Sequence, residues 1–439
     1  MNYPIDITGK HIAVFGAGRS GRAAAALALR EGAFVSVWDQ GGVDKFGELP
    51  NGIETHPEMT LVGAEQFSAD LIVLSPGIDT YSPLVQAFAA KAKMIGETEF
   101  ASCYYTGGII GITGTNGKTT TTELVARILK KAGLGGTPCG NYGTPLSEIV
   151  LSSDVPAAVA LELSSFQLET VENLRPRVSI WLNFAVDHMD RYPSVEAYKN
   201  AKLRIFKNQN YDDTVVMRYG EELGQLVTNV ITFSTETDDA DFFSDGTTIT
   251  HGGRILLDLE AETSLRGLHN AENAMAAMAA CMAYGISPTI ISTALQGYAP
   301  PPHRCELIRT LDGVEYLNDS KATNLHALQS ALRSQNRPVV LIAGGKDKGL
   351  DYESLLPMLG RQTISAVTFG QIARPLAALF NAAVPTTAVS TLSEAIDTAR
   401  SLAPCGSTVL LSPGTSSFDQ FNGYEQRGDT FRDLVHQLI

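Results

Sequence analysis

Thr113-Gly114-Thr115-Asn116-Gly117-Lys118-Thr119-Thr120 limits what this chain can fold into more than any other stretch. The apolar run Ile109-Ile110-Gly111-Ile112 leads into it, and Leu124, Val125, Ile128 and Leu129 follow at helical spacing. The pattern predicts a strand, a glycine-rich turn and a helix beginning at Gly-Lys-Thr. Amides at the start of such a helix lack intrahelical acceptors and carry the positive end of the helix dipole, so they suit a phosphate. Gly114 to Thr120 are therefore candidate nucleotide-phosphate ligands. Lys118 adds a charge for the terminal phosphates, and the Thr119 hydroxyl is a candidate Mg²⁺ ligand. The strict phosphate-loop pattern has Gly where this chain has Ile112.

The rest of the chain narrows the class. A length of 439 residues predicts about three domains. A net charge of −14 argues against a nucleic-acid partner or an anionic membrane surface. An anionic substrate would then need local basic residues and metal ions. The opening ten residues carry no basic-then-apolar leader, and Ala23 to Leu29 is too short to span a bilayer. Cys103, Cys139, Cys281, Cys305 and Cys405 have no paired spacing, which points to reduced thiols and a cytoplasmic protein without membrane insertion.

Before the phosphate loop, His11 to Phe15 reads as a strand running into Gly16-Ala17-Gly18-Arg19-Ser20-Gly21 and a helix to Arg30. Phe34 to Trp38 is a second strand, closed by Asp39. This is a dinucleotide fingerprint, which in general reports a diphosphate or nucleotide on a βα turn. Gly18, Ser20 and Asp39 are its candidate ligands. Asp70 to Leu74 is a third strand, ending in Ser75-Pro76-Gly77-Ile78 where parallel sheets bind ligands. Ser75 and Gly77 are candidates there, and a plain strand-ending turn is the alternative.

After the loop, Gly140-Asn141-Tyr142-Gly143 is a turn able to place the Asn141 amide near phosphate, a purely structural turn being the equal alternative. Ala157 to Leu161 reads as a strand with Glu162 at its end, a usual place for a Mg²⁺ carboxylate. Arg177 to Leu182 is another strand, and its end carries Asp187, His188 and Asp190, a set suited to metal or amine chemistry. Ser194 is expected to cap a helix to Phe206, on which Lys199, Lys202, Arg204 and Lys207 read as solvated. Short strands and turns are expected from about Tyr211 to Glu262. His269 and Asn270 precede an alanine-rich, buried helix from Ala271 to Tyr284 and are placed to face a nucleotide base.

Pro300-Pro301-Pro302 reads as a stiff linker. Beyond it, strands at Val314–Leu317, Pro338–Ile342, Ala366–Phe369 and Thr408–Leu411 alternate with helical sequence. That predicts a second doubly wound domain. Three of its strand ends carry Gly, Ser, Lys or Asp, enough for a polar crevice.

Thr113 to Thr120, Glu162-Leu-Ser-Ser-Phe-Gln167, Asp187-His-Met-Asp190, Ala201-Lys-Leu-Arg-Ile205, His303-Arg304, Asn318-Asp-Ser-Lys-Ala-Thr-Asn324 and the Ser412-Pro413 segment together resemble the Mur ligases. The resemblance runs through essentially the whole chain in order. It implies an α/β chain of three domains. Residues 1–101 would form a Rossmann-like sheet for a uridine substrate, and residues 102–301 a P-loop-type ATPase sheet. Residues 302–439 would form a doubly wound Rossmann-like sheet for the incoming amino acid. The activity implied is joining D-glutamate to UDP-N-acetylmuramoyl-L-alanine through an acyl phosphate, using ATP and two Mg²⁺ ions, by a monomer.

By the same resemblance, Lys118 and Thr119 hold ATP phosphates and one Mg²⁺, Glu162 holds that metal, and His188 serves the second. Asn270, Arg304 and Asp319 contact ATP. Gly18, Ser20, Asp39, Ser75, Gly77 and Asn141 meet the uridine substrate. Lys321, Thr323, Lys348, Ser417 and Tyr424 meet glutamate, Lys348 being chosen over Lys346. Lys118, His188 and Lys202 are the implied catalytic residues, Lys202 as a carbamate formed from CO₂. The chain departs from the family pattern at Gln40-Gly41-Gly42, where a basic residue is usual two places after Asp39. It also lacks the Asp-Asn-Pro-Arg segment of members that add a dibasic acid. Other readings are L-glutamate as donor, a folylpolyglutamate synthetase, a nicotinamide dehydrogenase and a non-catalytic ATP-dependent binding protein.

Overall fold

The computed structural model describes residues 5–189, 191–299 and 302–439. Its first sheet contains β1 (His11–Phe15), β2 (Phe34–Trp38), β3 (Ile53–His56), β4 (Leu71–Leu74) and β5 (Lys93–Gly96), all parallel, in the order β3-β2-β1-β4-β5. A parallel sheet must be covered on both faces, and alternation supplies both covers. Val14, Val37 and Val73 pack with Ala24, Leu27 and Ala28 of the helix Arg19–Arg30. Ala13, Phe15, Ile72 and Leu74 pack with Phe67 and Phe88. The strand order reverses between β1 and β4, the place where such sheets bind ligands, and Gly16 and Ser75 follow those two strands.

The second sheet contains β6 (Gly108–Thr113), β7 (Gly135–Gly140), β8 (Ala158–Glu162), β9 (Val178–Trp181), β10 (Thr214–Arg218), β11 (Asn229–Ser234), β12 (Phe242–Ser244), β13 (Thr248–His251) and β14 (Arg254–Asp258). Their order is β14-β13-β12-β11-β10-β9-β6-β8-β7. β6 lies between β8 and β9, with Ile112 opposite Glu162 and Thr113 opposite Trp181. That register brings three strand ends together: the phosphate loop, Glu162 and the segment after Trp181. The helix Leu268–Ala283 is buried along most of its length, as its alanines and methionines suggest.

The third sheet contains β15 (Glu306–Leu311), β16 (Val314–Asn318), β17 (Val339–Gly344), β18 (Thr363–Phe369), β19 (Thr386–Ala388) and β20 (Thr408–Leu411), ordered β15-β16-β20-β17-β18-β19. The sequence reading omits both edges. β15 pairs antiparallel with β16 and is only partly buried, so Glu306 and Arg309 break any apolar pattern. β19 is three residues long.

By packing, the chain divides into two compact units. One is 1–243 with 250–256 and 273–296; the other is 244–249, 257–272 and 297–439. Asp190, Pro300 and Pro301, which the sequence reading uses, lie outside the described residues. The expected helix from Ser194 to Phe206 is Val195–Leu203 followed by a 3₁₀ turn, Arg204–Phe206, and Ser194 accepts from the Ala197 amide. Among the described residues no helix is long and apolar enough to cross a membrane. The five cysteines are free thiols.

Candidate active site

The phosphate loop is held against β9's continuation through Asn183 and through its own Thr115. Asn183 accepts from the Asn116 amide at 3.0 Å and donates to the Asn116 carbonyl at 3.1 Å. The Thr115 hydroxyl donates to the Ala185 carbonyl and accepts from the Ala185 amide. Gly117 sits at φ 85°, before the helix Lys118–Lys131, and offers no side-chain cap. A Cβ there would come within 2.2 Å of Asn273 Oδ1, so the turn fits against the helix that carries Asn273 only as glycine. Uncapped first-turn amides are suited to an anion. Thr119 and Thr120 occupy that first turn, Thr120 being buried. The sequence reading passes over Asn183 as a loop-holding residue; a polar residue just after a central strand is its only signal.

Two lysines converge on one carbonyl. Lys118 Nζ donates to Gly114 O and Thr115 O, both at 2.9 Å, and Lys202 Nζ donates to Gly114 O at 2.8 Å. Lys202 is 2 % exposed, which corrects the solvated reading of its helix face. Tyr198, buried one turn earlier, places its ring 4.9 Å from the ammonium. Burial, with repulsion from Lys118, pulls the Lys202 amine well below the ordinary lysine value, against the pull of Asp187 and Glu162.

Glu162 ends β8 almost fully buried. Its Oε1 accepts from Asn141 Nδ2 at 2.7 Å, while Oε2 is buried without a hydrogen-bond partner. A carboxylate oxygen left in that state fits a cation. Among the described residues no cluster of three His, Cys, Asp or Glu side chains forms a ready metal cage. Mg²⁺ commonly takes one or two carboxylates plus substrate phosphates and water, so the Glu162 carboxylate is a donor of the right kind. Asn141 is thus tied to Glu162. His188 stands in the left-handed region at φ 57°, its Nε2 3.9 Å from Asp187 Oδ2, its ring edge-on to Phe166 and Tyr198.

In the first sheet, Ser75 Oγ donates to Gly16 O at 3.1 Å, joining the two candidate strand ends. Asp39 accepts from the Ala17 amide at 2.7 Å and from the Gly41 amide at 2.8 Å, so it shapes the glycine loop. Gly18 is the N-cap of the helix that holds Ser20. Arg19 leaves that loop to pair with both oxygens of Glu148, at 2.9 and 2.7 Å. Gly77 lies in the turn after β4 with open space at its α-carbon.

The second unit holds the remaining candidates. Asp319, at the end of β16, is buried and accepts from Ser412 Oγ at 2.9 Å and the Cys305 amide at 3.2 Å. Burial pushes its carboxyl up to about 7, although these donors and the charge of Arg304 oppose the shift. Asn270 donates to Arg266 O at 2.9 Å. The neighbouring His269 is pulled down to about 4 by burial and by Arg304.

Lys321 Nζ lies 3.7 Å above the Tyr424 ring, and Lys348 Nζ lies 3.5 Å from Thr323 O. Lys346 is instead fixed through its backbone to Ser416 and Thr415. Ser417 is buried in the segment after β20. Arg427, fully buried, donates to Ser320 Oγ, Ser320 O and Thr415 O, and so stitches the Lys321 segment to the Ser417 segment. A helical arginine gives no sequence signal of such a role.

The description "Mur ligase middle domain" matches residues 112–281, and "Mur ligase, glutamate ligase domain" matches residues 303–414. The UDP-N-acetylmuramoylalanine--D-glutamate ligase of Geobacter metallireducens is 38% identical over 452 residues, covering 99% of each chain. That of Myxococcus xanthus is 38% identical over 451 residues, covering 98% of this chain and 99% of the relative. The MurF ligase of Thermotoga maritima, solved in complex with ADP, shares the fold at a TM-score of 0.61 with 15% identity, covering 98% of this chain and 96% of that one. On the length and level of these matches, the chain belongs to the Mur ligase family, within its UDP-N-acetylmuramoylalanine--D-glutamate ligase branch.

Proposed function

We propose that this protein is an ATP-dependent ligase that joins D-glutamate to UDP-N-acetylmuramoyl-L-alanine, in the cytoplasm, for peptidoglycan precursor synthesis. The observation that carries the reading is the phosphate loop with Lys118 and Lys202 on one carbonyl and Glu162 nearby, in a chain aligned end to end with D-glutamate ligases. Residues 1–101 bind the uridine substrate, 102–301 bind ATP, and 302–439 bind glutamate.

ATP phosphorylates the carboxylate of the substrate's alanine. The new O–P bond turns a poor leaving oxygen into phosphate. The amine of glutamate then adds to the acyl carbon, and the tetrahedral intermediate expels phosphate and leaves an amide. Residues of the chain contribute charge and position. Gly114 to Thr120 cradle the triphosphate, and Lys118 faces the transferred phosphoryl group. Asn270, Arg304 and Asp319 hold the rest of ATP. Gly18, Ser20, Asp39, Ser75, Gly77 and Asn141 seat the uridine substrate. Lys321, Thr323, Lys348, Ser417 and Tyr424 orient glutamate.

Thr119 and Glu162 would hold one Mg²⁺, and His188 would hold a second with a carbamate on Lys202. When bound, these ions offset the charge that builds on the phosphoryl oxygens. The depressed amine of Lys202 supports the carbamate. A neutral amine adds to CO₂, forming an N–C bond and losing a proton, and the nitrogen keeps one N–H for Gly114 O.

The test is one assay with purified protein, labelled ATP, Mg²⁺ and UDP-N-acetylmuramoyl-L-alanine, run with each glutamate enantiomer. ADP, phosphate and a new amide with the D form alone are expected. Equal use of L-glutamate, or dependence on a folate or on NAD, overturns the reading.

A further inference from the structure

Glu169 follows the short helix Ser165–Leu168 and is nearly buried, its side chain 7 % exposed. It accepts from three side chains on two other segments. Oε2 takes the Thr80 hydroxyl and Arg191 Nη2, the latter at 3.1 Å, and Oε1 takes the Tyr192 hydroxyl. Arg191 Nη2 also donates to Ile78 O at 3.1 Å, and the guanidinium lies 3.8 Å over the Phe166 ring. The amides of Arg191 and Tyr192 both donate to His188 O, so these two residues close the turn in which His188 takes its positive φ. The Tyr192 ring also packs 5.2 Å from Tyr198, which reaches the Thr115 hydroxyl. A small cavity lined by Ser75, Ile78, Thr80, Phe166 and Gln167 lies beside this network.

We propose that Glu169 is a positioning residue for the ligation: it fixes the Ser75–Thr80 segment to the turn that presents His188. The proposal rests on the function argued above. Glu169 takes no part in the chemistry itself. Its two oxygens share the work: Oε2 takes Thr80 of the segment assigned to the uridine substrate together with Arg191 of the turn assigned to the second metal, and Oε1 takes Tyr192 of that same turn. Only a carboxylate satisfies all three donors at once, because an amide has a single acceptor oxygen and would turn N–H groups toward a hydroxyl or Arg191. Seating the uridine substrate and placing His188 are thereby coupled through one buried charge.

The two arms can be cut separately in the full-length protein. Thr80→Val removes the first arm, and Tyr192→Phe removes the hydroxyl donor of the second while Arg191 stays paired, each with little change of volume. Thr80→Val is expected to raise KM for UDP-N-acetylmuramoyl-L-alanine about 10-fold with kcat nearly unchanged. Tyr192→Phe is expected to lower kcat about 10-fold with that KM nearly unchanged. Glu169→Gln combines both defects, and adding Thr80→Val to it raises KM no further. KM for ATP is expected to stay constant in all four. Thr80→Val and Tyr192→Phe shifting the same parameter, or neither moving any, overturns the proposal while wild-type turnover leaves the function standing. A wild type that makes no amide removes both.

Discussion

Lys202 and Lys118, from separate helices of the central sheet, donate to the same oxygen, Gly114 O, at 2.8 and 2.9 Å. Two ammonium groups sharing one acceptor repel each other, and the buried one loses its proton more readily. On the proposed mechanism, in which a Lys202 carbamate supports a metal, Lys202→Ala is expected to lose activity by roughly 100-fold or more. Bicarbonate or a short carboxylic acid added to the variant is expected to restore part of the rate. Full activity of the unsupplemented variant refutes the assignment.

Glu162 Oε2 is buried without a hydrogen-bond partner while Asn141 holds Oε1. Glu162→Gln is expected to raise the Mg²⁺ concentration for half-maximal activity by about 10–100-fold, and Asn141→Ala by less. Magnesium titrations at saturating ATP measure both. An unchanged requirement in Glu162→Gln shows that the metal sits elsewhere.

The Asn183 side chain grips both backbone groups of Asn116. Asn183→Ala is expected to raise KM for ATP about 10-fold, because two hydrogen bonds shaping the loop are lost. KM for D-glutamate serves as the control and is expected to stay constant.

Asp319 and His269 give opposite pH signatures. Asp319, raised to about 7 in the fold, keeps its proton where the unfolded chain has lost it, so it lowers stability as pH rises from about 4 to 7. His269, lowered to about 4, lacks a proton that the unfolded chain holds, so it raises stability as pH climbs from about 4 to 6.5. The two slopes oppose each other across most of that window. Asp319→Asn is expected to unmask the His269 slope, which approaches ~1.4 kcal/mol per pH unit for one proton. Urea unfolding between pH 4.5 and 7 reads it directly. A variant whose pH profile matches the wild type denies the buried, protonated state of Asp319.

Strand ends were legible because apolar runs stop at glycine, serine or acid, and β1, β4, β6, β8 and β20 all end as their residues suggest. The phosphate loop was legible for the same reason. Lys202 was not legible from its own helix: cationic residues at four of nine positions from Lys199 to Lys207 read as a wet face, and only packing under Tyr198 and the loop dries it. Arg427 and Glu169 were invisible for a related reason. Their partners come from segments far away in sequence, and a lone charge on a helix or at its end carries no record of them. The edge strand β15 was missed because an edge need not be apolar on either face.

Gly117 leaves no room between the loop and the Asn273 side chain. The shape of the phosphate loop is thus partly owned by a helix encoded far downstream. Transplanting residues 113–120 onto another strand–helix scaffold would carry over the letters without the contour, and a graft would have to bring Asn183 and the Asn273 helix with it to recover binding.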